Sequence, residues 1–209
     1  MIVVDIETSG VDFTKCGIWQ IGAVDLDNLE NIFFEEAYID DEDEILNVEG
    51  IKGAKPVLEV IGKTEEELRD KNKQSQKEML KKFFEWASKI KVNNCICQNP
   101  SFDLGFIFTK ARKYGLRVSF HYRSFDLHTI AQMKHFEIGG KFSVNEEKER
   151  LSMGLSNILK FCGFLGDPRE YHNALEDAKL TAECFSRLVD GKNLFPEFSK
   201  FEIPRYLKK

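Results

Sequence analysis

No run of apolar residues in this 209-residue sequence approaches the roughly 20 that a membrane-spanning helix needs, and no basic leader followed by an apolar stretch opens it. The expectation is a cytoplasmic protein with no membrane partner. Cysteine is scarce: Cys16, Cys95, Cys97, Cys162 and Cys184 are odd in number and none forms a Cys-x-x-Cys pair. That pattern argues against a disulfide framework and against zinc, and predicts reduced thiols. Positive charge is short as well, with 30 Lys and Arg against 35 Asp and Glu and a formal net charge of −5. Such a balance weakens the case for broad, non-specific binding of long duplexes, though not for an enzyme that grips a few nucleotides at a chain end. Internal repeats, low-complexity tracts and a clear linker are also missing. The reading is one domain over residues 1–192, with an insertion at about 137–150 and a tail over 193–209.

What the sequence does have is phenylalanine, 18 residues of it, within an apolar fraction of 42% that can build a sizeable core. It also opens on a distinctive stretch, MIVVDIETSG. Ile2, Val3 and Val4 are β-prone and apolar, which predicts a buried strand. Residues two apart on a strand face the same way, so Asp5 and Glu7 project together while Ile6 turns opposite. Neighbouring carboxylates repel one another and are costly to take out of water. A divalent cation resolves both problems, and Mg²⁺ or Mn²⁺ suit hard oxygen ligands. Taken alone, the same Asp-x-Glu also reads as an acidic strand end dissolving into a solvated loop.

Further strands are expected over 17–26 and 31–38, joined near Asp27-Asn28, followed by an acidic run over 40–49 that reads as a solvated loop. Gly50, Gly53, Pro56 and Gly62 break residues 50–73 into short helices and turns. Met79, Leu80, Phe83, Phe84, Ala87 and Ile90 recur at helical spacing over 75–90. A strand over 92–98 runs straight into Asn99-Pro100, a strong helix start that leaves Asp103 bordering the core-facing stripe. Residues 123–127 predict another strand leading into a helix from His128, and 137–150, polar with a Gly pair, predict a mobile insertion. After a short helix over 155–161, Asn173 and Glu176 mark the start of a long helix whose stripe adjoins Asp177. A continuous helix would put His172 and Asp177 about 140° apart, so His172 is expected on a loop, free to swing toward whatever Asp177 binds. The pattern as a whole predicts an α/β domain with a mixed central sheet flanked by helices.

Asp5/Glu7, Asp103 and Asp177 thus stand at the ends of separate elements, with His172 beside the last. With Asp5-Ile6-Glu7-Thr8, Asn99-Pro100-Ser101-Phe102-Asp103 and His172-Asn173-Ala174-Leu175-Glu176-Asp177 in this order, the sequence resembles the DEDDh group of DnaQ-like 3′-to-5′ exonucleases. The resemblance implies an RNase H-like fold and release of nucleoside monophosphates from a 3′ end, with two Mg²⁺ or Mn²⁺ ions held by Asp5, Glu7, Asp103 and Asp177. His172 is then the base that takes a proton from the attacking water. The expected substrate is a single-stranded or frayed DNA end, with a DNA polymerase as an expected partner. An exoribonuclease acting on RNA 3′ ends, and an inert nucleic-acid-binding module, are the alternatives.

The candidate substrate contacts are Thr8, Ser9, Asn99, Phe102 and Ile18. The resemblance places Thr8 near the terminal 3′-hydroxyl, and Ser9 stands where many relatives carry Thr. Phe102 reads equally as a base-stacking ring or as core. For Ile18 and Trp19, an apolar wall against the last base competes with core packing, and Asp126 reads as structural. His121, His128 and His135 recur every seven residues across a strand and a loop, which is not a metal-binding helix face. Lys110, Arg112, Lys113 and Arg117 form a basic cluster that either guides a phosphate backbone or makes a solvated helix face.

Overall fold

Ile2, Val3 and Val4 are fully buried, and the reason is their neighbours. Their strand β1 (Ile2–Thr8) lies between antiparallel β2 (Ile18–Asp25) and parallel β5 (Asn94–Cys97). The computed structural model that shows this describes residues 1–47, 56–146, 149–166, 168 and 172–209. Gly50, Gly53 and Tyr171 lie outside the described residues. The sheet continues through β3 (Asn28–Tyr38), β4 (Gln74–Ser75) and β6 (His121–Asp126), in the order β4-β3-β2-β1-β5-β6. The first three strands form the antiparallel meander; β5 and β6 are parallel to β1.

Between β3 and β4 come two short helices, α1 (Val57–Ile61) and α2 (Glu65–Leu68). Helices α3 (Gln76–Ala87) and α4 (Pro100–Lys113) follow β4 and β5, and α5 (Leu127–Gly139), α6 (Leu155–Phe161) and α7 (Ala174–Asp190) follow β6. Strand alternation sends Ile2, Val4 and Ile6 into the core under α3 and α4, while Val3 joins Val24, Ile96, Ala178 and Ala182 beneath α7. Each of the Ile and Val side chains contributes about 1.5–3 kcal/mol by leaving water. Asp5 and Glu7 share the alternation of Val3 and so project on the α7 side of the sheet.

Three expectations change. The acidic run is not simply solvated: Asp43 is 4% exposed and accepts from Lys110 Nζ at 2.6 Å and Gln76 Nε2 at 2.7 Å. Two of the four basic residues therefore answer those acids, Lys110 through Asp43 and Lys113 through Asp40 and Glu42 at 2.8 and 2.9 Å. A guide for phosphates is not what Lys110 and Lys113 make. The expected insertion carries regular structure on both flanks: α5 runs through to Gly139, and β7 (Val144–Asn145) pairs antiparallel with β8 (Arg150–Leu151). Gln132 pins this hairpin to α5 by exchanging bonds of 3.0 and 2.9 Å with the Ser143 backbone. Only residues 147–148 of that segment lie outside the described residues.

After α7 the chain folds back onto the body. Arg187, fully buried, bonds Glu183 at 2.7 Å and the carbonyls of Cys162 and Phe198 at 2.8 and 3.0 Å. Glu183 in turn accepts the N–H groups of Leu194 and Phe195 at 2.8 and 2.9 Å. A buried charge is tolerated when paired and fully hydrogen-bonded, and this pair also closes the core over Phe195, Ile203 and Leu207.

Candidate active site

At the C-terminal end of β1 the sheet opens into a cleft of about 430 Å³, lined by Asp5, Glu7, Asp103, His172 and Asp177 among others. Each acid arrives by a different route. Asp5 and Glu7 come from one face of β1, opposite Gly22 and Gln20 of β2. Asp103 sits in the first turn of α4, started by Pro100 at the end of β5. Asp177 sits in the first turn of α7, whose N-cap Asn173 accepts the N–H groups of Leu175 and Glu176 at 3.1 Å each.

Glu7, Asp103 and Asp177 are 7%, 4% and 3% exposed. Burial, and then the negative charge of Asp177, push the Asp103 carboxyl up to about 7, even though backbone N–H groups of Ile6 and Asn99 favour its ionised form. His172 precedes α7 on a loop, as its angular offset from Asp177 requires. Its Nδ1 lies 3.4 Å from Asp177 Oδ2 and 4.0 Å from Glu7 Oε1. The imidazole therefore leans in among the carboxylates.

This donor set fits a divalent ion. Ligand atoms of Glu7, His172 and Asp177 lie within 4.8 Å of one another, and the surrounding carboxylate oxygens match the preference of Mg²⁺ or Mn²⁺. Clustered, buried acids, one of them held near 7 by burial and a like charge, are the electrostatic frustration that such an ion relieves.

Among the expected substrate contacts, Thr8, Asn99 and Phe102 line the cleft. Thr8 Oγ1 donates to the Gly10 carbonyl at 2.6 Å. Asn99 occupies the N-cap position of α4, makes no side-chain cap bond and lines the cleft. Phe102 packs on Phe106 with ring centres 5.0 Å apart and also lines the cleft.

Ser9 and Ile18 are not among the residues that line the cleft. Ser9 is fully buried, donating to the Glu44 carbonyl at 2.7 Å and accepting from Gly17 N–H at 2.9 Å. Ile18 belongs to the main core, because a bulge opposite Glu7/Thr8 passes over Trp19 and turns Ile18 to the face of Ile6. Trp19, 1% exposed, is core as well. Asp126 caps α5 by accepting from His128 N–H at 3.0 Å. Sequence reasoning missed Gln98, Ser156 and the apolar wall of Val57, Val60 and Ile61. Gln98, beside Asn99, was within reach of the motif; the wall carries no local signal.

The RNase T exonuclease family model matches residues 2–185. The chain belongs to that family. Within the RNase T exonuclease family, it is 26% identical over 189 residues to the PolC-type DNA polymerase III of Caldanaerobacter subterraneus subsp. tengcongensis, spanning 90% of this chain but 11% of the polymerase. It is 28% identical over 200 residues to Ribonuclease T of Vibrio campbellii, spanning 90% of this chain and 85% of that enzyme. Among solved structures, Escherichia coli exonuclease I in complex with a dT13 oligonucleotide superposes with a TM-score of 0.61 at 14% identity, over 89% of this chain and 40% of that one. The nuclease domain of 3′hExo, a DEDDh family member bound to rAMP, gives 0.56 at 14% identity over 98% and 95%. These likenesses show the fold, the RNase H-like arrangement expected from the sequence.

Proposed function

We propose that this chain is a metal-dependent 3′-to-5′ exonuclease, hydrolysing the terminal phosphodiester of a single strand or frayed end to release a nucleoside monophosphate. The observation that carries the reading is the meeting of Asp5/Glu7, Asp103 and Asp177 with His172 in one cleft. Divalent ions held by Asp5, Glu7, Asp103 and Asp177 would supply charge neutralisation at the phosphodiester and its leaving 3′-oxygen, and a more acidic attacking water. His172, which lies against Asp177 through Nδ1 before that carboxylate is given over to an ion, is the group that takes the water's proton. Because it stands on a loop, the ring can leave the carboxylates when an ion and a strand enter. Thr8, Asn99 and Phe102 hold the terminal nucleotide, Phe102 by stacking on its base.

DNA is the leading substrate, in line with the PolC-type polymerases among the relatives, where a proofreading or repair role would fit. An RNA substrate is favoured by a separate observation, the similarity to Ribonuclease T over 85% of that enzyme. One experiment separates them. 5′-labelled DNA and RNA strands of one sequence are incubated side by side with the protein in Mg²⁺ or Mn²⁺. Stepwise shortening that stops with EDTA, and is lost in His172→Ala, supports the reading; the faster strand names the substrate. Shortening unaffected by EDTA or by His172→Ala would overturn it.

A further inference from the structure

Behind the acids lies a polar joint that the cleft itself does not use. Gln20 of β2 is 3% exposed and stands opposite Glu7 in the sheet. Its Oε1 accepts the N–H of Ala174, the first residue of α7, at 3.1 Å. Its Nε2 donates to Glu36 Oε1 of β3 at 2.7 Å, and Glu36 Oε2 takes Lys73 Nζ at 3.0 Å. A backbone N–H on one side and a carboxylate on the other leave the amide a single orientation. Two residues on, Gly22 stands opposite Asp5, and a Cβ there would lie 2.2 Å from the Ala174 carbonyl carbon and the Leu175 nitrogen. The start of α7 is therefore seated on β2 at the two positions that face the β1 acids, by contact at Gly22 and by hydrogen bond at Gln20.

From this seat we infer that Gln20 is a positioning residue for the reaction. It sets where Asp177 and His172 stand relative to Asp5 and Glu7, through the first N–H of α7. The remaining N–H groups of that first turn are taken by Asn173, through its side chain for Leu175 and Glu176 and its carbonyl for Asp177. Only the Gln20 bond ties the turn to the sheet through a side chain among these. Outer partners that orient metal ligands typically affect metal affinity or activity by about 10–100-fold when removed. The inference rests on the proposed exonuclease reading.

The test uses Gln20→Glu, Glu36→Gln and the double variant, with Mn²⁺ affinity read by electron paramagnetic resonance and kcat and KM read on a labelled strand. Gln20→Glu sets two carboxylates against each other and should weaken Mn²⁺ binding and lower kcat by about tenfold or more, with KM little changed. Glu36→Gln keeps an acceptor for Gln20 while giving up the one that takes Lys73 Nζ, so its Mn²⁺ affinity and kcat should stay within about threefold of the wild type even if its melting temperature falls. The double variant restores a donor–acceptor pair with its direction reversed, while the carboxylate introduced on β2 still accepts from Ala174, and should recover both Mn²⁺ affinity and kcat to within about threefold. Wild-type Mn²⁺ affinity and kcat in Gln20→Glu would overturn the inference. If Gln20→Glu does not fold, Gln20→Met replaces it, and a loss of melting temperature alone would overturn the inference too. A wild-type protein that binds Mn²⁺ but cuts no strand would instead refute the exonuclease reading, leaving the affinity comparison to judge Gln20.

Discussion

Removing a charge from the centre of the site should make the metal-free protein more stable. Asp103 is 4% exposed, and burial together with Asp177 holds its carboxyl at about 7. In the unfolded chain the same group titrates near 3.9. Between those values the unfolded chain is ionised while the folded one keeps its proton, so unfolding releases a proton and stability falls as pH rises. The slope is about 1.4 kcal/mol per pH unit, and over roughly three units the loss reaches about 4 kcal/mol, complete above pH 7. Asp103→Asn keeps an oxygen for the backbone N–H groups of Ile6 and Asn99 yet never ionises. In EDTA at pH 8 the variant should gain about 2–4 kcal/mol, or roughly 5–15 °C in Tm for a chain of this size. At pH 4 the two proteins should melt together. Thermal unfolding followed by circular dichroism across that range measures both. A variant that melts at or below the wild type at pH 8, or that shares its pH slope, would refute the reasoning.

Other consequences follow from particular contacts. Arg187→Met leaves Glu183 buried and uncompensated, so stability should fall by about 3–5 kcal/mol in urea unfolding, with the peptide after α7 becoming the first to be cut by protease. Gly22→Ala drives a Cβ into the backbone at the start of α7 and should cost about 1–3 kcal/mol. At temperatures where that variant is still folded, its strand-shortening rate should drop by more than tenfold, since Asp177 moves with the helix.

Much of the site was legible because each acid is tied to a local signal. Asp5 and Glu7 follow from strand alternation, Asp103 from Asn99-Pro100, and Asp177 from the Asn173 cap. Contacts across sequence were not legible. Asp43 and Lys110 are separated by 67 positions, so an inward ion pair read as two solvated clusters. Val57, Val60 and Ile61 reach the cleft only through the course of the chain after β3. For Ile18 the sequence left core packing and an apolar wall side by side, because period-two reasoning cannot see the bulge at Trp19 that turns Ile18 into the core. The β7–β8 hairpin has only two residues per strand, too short for any periodicity to declare it.

The most direct measurement is the anomalous scattering of manganese in crystals grown with Mn²⁺. Two peaks bounded by the carboxylates of Asp5, Glu7, Asp103 and Asp177, gone in Asp103→Asn, are the predicted result. Manganese bound elsewhere, with nothing at those four side chains, would contradict it.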